Sequence, residues 1–123
     1  MAGRGFDDYA YWSISTLSNG APAQWTEHVP TPDHERNERY PTAMLGGPSN
    51  EHVLFIWQVG PMAVSGDASV KYTLYHQNGT AIRDPSAGTV VELGTAFAGT
   101  KPTGWAAADG TFHILTTAVK RND

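Results

Sequence analysis

Two of the four tryptophans stand where an indole can meet a ligand. Trp25 lies in Gln24-Trp25-Thr26-Glu27-His28, among polar neighbours and outside any apolar run. Trp105 opens a hairpin beside Gly104. An exposed indole flanked by hydrogen-bonding groups suits a sugar: the C–H face of the ring stacks on the aromatic while its hydroxyls are bonded laterally. Exposed aromatics suit protein interfaces equally well. On the sugar reading Trp25 and Trp105 are the stacking platforms, with Glu27, His28 and Asp109 as polar neighbours. Trp12 and Trp57 are set in apolar strands and read as core.

Other chemistries find less support. The histidines, at 28, 34, 52, 76 and 113, lack the convergent spacing of a metal site and read as solvated or hairpin-facing. No cofactor is expected. Asp67, Asp84, Glu92 and Asp109 form a hydrolytic carboxylate pair only if the fold joins two of them, and Asp109 already has a local role as a turn residue. There is no Gly-x-Ser-x-Gly elbow. Gly94-Thr-Ala-Phe-Ala-Gly99 lacks the Gly-Lys-Ser/Thr ending of a phosphate cradle. The polar stretch Thr31 to Arg39 reads as a solvated loop, or as an assembly arm if Arg36 and Arg39 pair with carboxylates of a neighbouring subunit.

The elements that must position these residues are strands. No window carries apolar residues at three-and-four spacing, and 13 Gly and 8 Pro break most helical candidates. Tyr9 to Leu17 and Val70 to Tyr75 alternate; Val53 to Val59, Thr89 to Leu93 and Thr111 to Val119 read as more buried strands. Asn19-Gly20, Asn78-Gly79 and Asp109-Gly110 predict two-residue hairpins, because both positions tolerate positive φ.

The landmarks recur. Ala10-Tyr-Trp-Ser-Ile14 aligns with Val70-Lys-Tyr-Thr-Leu74 at an offset of 60 residues, Asn19 with Asn78 at 59, Pro41-Thr42 with Pro102-Thr103 at 61, and Leu54-Phe-Ile56 with Phe112-His-Ile114 at 58. The order predicts two diverged four-strand antiparallel units, over 1–61 and 62–123, the first carrying longer insertions. Pro102-Thr-Gly-Trp-Ala-Ala-Ala-Asp-Gly-Thr-Phe-His-Ile-Leu-Thr116 resembles the inner half of a β-propeller blade, and Tyr72-Thr-Leu-Tyr-His-Gln-Asn-Gly-Thr80 the hairpin before it. That resemblance, to short oligomeric propeller lectins, implies a ring completed by two or three chains. An eight-stranded sandwich or jelly roll within one chain accommodates the same strands.

Composition narrows the partners. The chain has no cysteine, so disulfides and thiolate sites are excluded. With 8 basic and 12 acidic side chains the formal charge is −4, and the cations are scattered, against a nucleic-acid partner. The longest apolar run, Val53 to Trp57, is strand-sized, against membrane insertion. The N-terminus shows no signal-peptide core, so the expected location is the cytoplasm, or outside after release without a signal.

The sequence therefore predicts an all-β, non-enzymatic binding protein that partners itself as a homo-oligomer and takes a glycan. The first alternative is a structural decoration or cement protein on a viral capsid, located in the virion and bound to a protein lattice, and the second is a small all-β enzyme whose carboxylates are perturbed by the fold.

Overall fold

The computed structural model describes residues 2–4, 9–33, 37–60, 67–83, 88–97 and 101–116. Over these residues twelve strands run in chain order: β1 Ala2–Arg4, β2 Ala10–Trp12, β3 Ser15–Ser18, β4 Ala21–Trp25, β5 Val29–Pro30, β6 Glu38–Gly46, β7 His52–Val59, β8 Asp67–His76, β9 Ala81–Ile82, β10 Val91–Phe97, β11 Thr103–Ala106 and β12 Phe112–Leu115. The protein is all-β, with one 3-10 turn among the described residues, Pro48–Asn50, linking β6 to β7.

The largest sheet has the order β10-β8-β7-β6, with β9 beside β8, and every pairing is antiparallel. Its heart is β7, which carries the apolar run and is buried on both faces. Val53, Phe55 and Trp57 pack with Ala10 and Trp12 of β2 and Tyr75 of β8. Leu54 and Ile56 face the other way, onto Val70, with Phe112 and Ile114 of β12 packed against them. The small sheet β1-β2-β5 thus covers one side of the large sheet and the hairpin β11–β12 covers the other. The period-two alternation of a strand between two layers requires apolar residues at consecutive positions, which is what Val53 to Trp57 supplies.

The sheets do not divide at residue 61. The large sheet takes β6 and β7 from one side of that point and β8, β9 and β10 from the other. The segments aligned at the 60-residue offset also pair differently: β2 lies between β1 and β5, whereas β8 lies between β7 and the β9 and β10 strands.

Three local readings are corrected. Tyr9 to Leu17 is not one strand but two, β2 and β3, separated at Ser13 and Ile14. Only Asn19-Gly20 makes the expected two-residue turn, with Ser18 opposite Ala21 and φ of 53° and 81° at its centre. At Asn78-Gly79 and Asp109-Gly110 the loop holds three residues, closed by His76 N to Thr80 O and by Ala107 N to Thr111 O. There the side chain of Asn78 or Asp109 accepts the N–H two residues on, so glycine alone takes the positive φ.

The stretch Thr31 to Arg39 is not solvated at its ends: Thr31, Glu38 and Arg39 are buried, while Pro32 and Asp33 are exposed. Glu38 accepts the Ala10 backbone N–H at 2.9 Å and the Thr31 hydroxyl, which draws the segment onto β2. Asp33 meets Lys71 at 3.6 Å. His34, Arg36 and Asp84 fall outside the described residues. Pro41 does not open a strand; β6 runs through it, because a bulge between Arg39 and Thr42 removes it from the ladder its missing N–H would interrupt.

Candidate functional site

The hairpin β3–β4 ends where Ser15 pairs with Trp25, and its ladder is prolonged by Thr26 N to Ile14 O at 2.9 Å and Ile14 N to Thr26 Oγ1 at 3.0 Å. This holds Trp25 at the root of the hairpin, 49% exposed. Beside it opens a cleft of about 410 Å³ lined by Ile14, Gln24, Trp25, Thr26, Gln77 and Asn78. The last two come from the β8–β9 turn, some fifty residues away in the chain.

The cleft walls are three amides, a hydroxyl, the aliphatic side chain of Ile14 and one indole, with no charged side chain among them. Part of this hydrogen-bonding capacity is committed. Gln77 Nε2 donates to Asn50 O at 3.0 Å, and Asn78 Oδ1 accepts Thr80 N at 3.0 Å. Those bonds fix both side chains and leave Gln77 an acceptor oxygen and Asn78 a donor nitrogen for something in the cleft. An indole face with lateral amide donors and acceptors is the chemistry a sugar ring requires.

The other residues singled out in the sequence are placed elsewhere or otherwise engaged. Glu27 is exposed in the connection from β4 to β5, and neither it nor His28 lines the cleft. His28 stacks on Tyr11, ring centroids 4.0 Å apart and planes at 17°. Trp105 is 55% exposed on the outer face of β11–β12, opposite His113. The two rings stack at 5.0 Å with planes at 11°. Asp109 caps the turn of the same hairpin, and the Thr111 N–H at its carboxylate, 3.0 Å away, lowers its pKa. The five residues are therefore split between the β3–β5 region and the β11–β12 hairpin. Trp25 brings with it Gln24, Gln77 and Asn78, which the sequence did not mark as site residues. Asn78 read there only as a turn residue and Gln77 only as part of the hairpin before it, and no local signal carries the turn to Trp25.

The inner face of β11–β12 explains why Trp105 points outward. Gly104 allows close approach on two sides, since a Cβ there would collide with the His113 carbonyl oxygen of β12 and lie 3.0 Å from Met44 Cε of β6. Gly46 makes the same allowance for Phe112, whose Cε1 would lie 2.5 Å from an added Cβ. With Gly104, Ala106, Phe112 and Ile114 facing in, strand alternation turns Thr103, Trp105, His113 and Leu115 out.

Among the described residues no group of three or more His, Asp or Glu gathers as a metal cluster, and no helix is long and apolar enough to cross a membrane. Comparison with protein-family models, with curated proteins and with solved structures finds no match to this chain.

Proposed function

We propose that the protein is a non-enzymatic, lectin-like carbohydrate-binding protein whose binding site is the Trp25 cleft. The observation that carries this reading is the half-exposed indole set against the amide oxygen of Gln77 and the amide nitrogen of Asn78, in a recess of about 410 Å³. A ring that stacks on Trp25 exchanges poorly solvated indole surface for C–H contacts and meets fixed hydrogen-bonding partners at its rim. The uncharged walls favour neutral sugars over sialylated or uronic ones, because a buried carboxylate would find no cation there.

The test is glycan-array binding by the intact protein and by Trp25→Ala. Binding to neutral glycans that disappears in the variant, with the circular dichroism and melting temperature retained, is the expected result. An array empty at high protein concentration, or binding undisturbed by the substitution, overturns the reading.

The structural alternative, a decoration protein, draws support from the opposite hairpin. Trp105 and Leu115 are 55% and 59% exposed on one face of β11–β12, which is an apolar surface of the kind buried in assemblies. Homo-oligomerisation through this face accords with the lectin role, and contact with a lattice through it accords with the decoration role. Light scattering separates them: a lectin forms a closed oligomer alone, whereas a decoration protein stays monomeric until its lattice is present.

A further inference from the structure

The imidazoles of His52 and His76 meet across the central strand pair of the large sheet. The β7–β8 ladder places them directly opposite one another, next to the Val53–Tyr75 pair. Their ring centroids are 5.5 Å apart and their planes cross at 81°. His76 is exposed and His52 half-buried. We propose that this pair is a two-histidine chelate for a divalent transition-metal ion of the Cu²⁺, Ni²⁺ and Zn²⁺ class.

The metrics support the assignment. A histidine nitrogen bonds zinc at about 2.0–2.1 Å, which sets each ring centroid about 3.2 Å from the ion, and a tetrahedral angle then separates two centroids by about 5.2 Å. The observed 5.5 Å differs by an amount that small side-chain torsions absorb. The rings meet edge to face, so the exposed His76 must turn about its side-chain torsions to bring a nitrogen lone pair towards the ion. An imidazole lone pair lies in its own ring plane, and two crossing planes share a line on which one ion can sit.

The scaffold is as important as the spacing. Register fixes the pair, because a one-residue slip of β7 would exchange Val53, Phe55 and Trp57 with Leu54 and Ile56 between two differently packed faces. At the strand ends His76 N donates to Thr80 O at 2.9 Å. On the other strand, Gly47, at φ 73°, leaves room for the His52 ring: a Cβ there would lie 2.7 Å from Nδ1. The backbone positions of both residues are thus held, and chelation needs only the two side chains to order.

Ligand type selects the ion. Imidazole suits copper, nickel and zinc, whereas Ca²⁺ and Mg²⁺ require a shell of oxygens. With two protein ligands the remaining coordination positions fall to water, which makes the site open and exchangeable.

The experiment titrates the full-length chain with Cu²⁺, read by electron paramagnetic resonance and calorimetry, and repeats it with His52→Gln, His76→Gln and, as a control, His28→Gln. One equivalent of Cu²⁺ with two-nitrogen coupling is expected. Each of the first two variants should weaken it by about tenfold or more, and the control should leave it unchanged. Line broadening by substoichiometric Cu²⁺, centred on the His52 and His76 resonances of the unmodified protein, locates the ion with no substitution to disturb folding. Equal affinity in all the variants, broadening centred on another residue, or a matching affinity for Ca²⁺ overturns the proposal and leaves the rings as a packing contact.

Discussion

The hydroxyl of Thr42 donates to the carbonyl oxygen of Pro102 at 2.8 Å, tying the middle of β6 to the residue that precedes β11. Pro102 is fully buried, so its carbonyl has little access to water if this donor is lost. Thr42→Val keeps the shape and removes the donor, and should lower stability by about 1–3 kcal/mol in urea unfolding. Gly46→Ala attacks the same junction by volume. Its Cβ would fall 2.5 Å from Phe112 Cε1 and 2.8 Å from Ala106 Cβ, at a cost of about 1–3 kcal/mol. Adding Phe112→Leu should make that cost non-additive in a double-mutant cycle, because the two side chains occupy one space.

Glu38 is the polar bridge between the large sheet and the small sheet β1-β2-β5. Its carboxylate takes the Ala10 N–H at 2.9 Å and the Thr31 hydroxyl in a wholly buried position. Glu38→Ala strands both donors and should destabilise the fold by about 2–5 kcal/mol, measured by chemical denaturation. Glu38→Gln should recover part of the loss, since its amide retains one acceptor and the Thr31 hydroxyl can accept from its nitrogen.

Alkaline pH should unfold the protein through Tyr75. Burial raises the pKa of its phenol above the ordinary 10.0, and the carboxylates of Glu38 and Asp33 raise it further. The unfolded chain therefore gives up this proton at lower pH than the native one. The contribution is complete below about pH 10 and declines as pH rises past it. Tyr75→Phe should flatten the stability profile above pH 10. It should also cost about 1 kcal/mol at neutral pH, through loss of the 2.8 Å bond that Tyr75 Oη donates to Pro30 O.

The four indoles should separate by quenching. Trp12 and Trp57 are buried and Trp25 and Trp105 exposed. Iodide should quench a red-shifted component that vanishes in the Trp25→Phe, Trp105→Phe double variant, while the blue emission of the buried pair persists. A neutral glycan bound in the cleft should protect Trp25 from iodide and leave Trp105 accessible.

The all-β class, the turn positions and the buried central strand are legible in the residues because each rests on local physics. Positive φ at Gly20, Gly79 and Gly110 follows from glycine's missing Cβ, and the run Val53 to Trp57 announces a strand covered on both faces. Turn type is less legible. Asn78 and Asp109 each use a side-chain oxygen to close a three-residue loop, an option the Asn-Gly or Asp-Gly dipeptide does not distinguish from the two-residue form.

Strand partnership and the site belong to the tertiary structure. Alternation tells a strand which face to bury but not against whom, so Ala10–Trp12 and Val70–Tyr72, alike in pattern, join different sheets. The stretch from Thr31 to Arg39 reads as solvated because its hydrophilic residues do not reveal that Glu38 accepts a buried Ala10 N–H. Trp25 is marked as exposed by its polar neighbours. Only folding sets the β8–β9 turn beside it, and likewise brings His52 opposite His76, since both meetings depend on packing between residues distant in the chain.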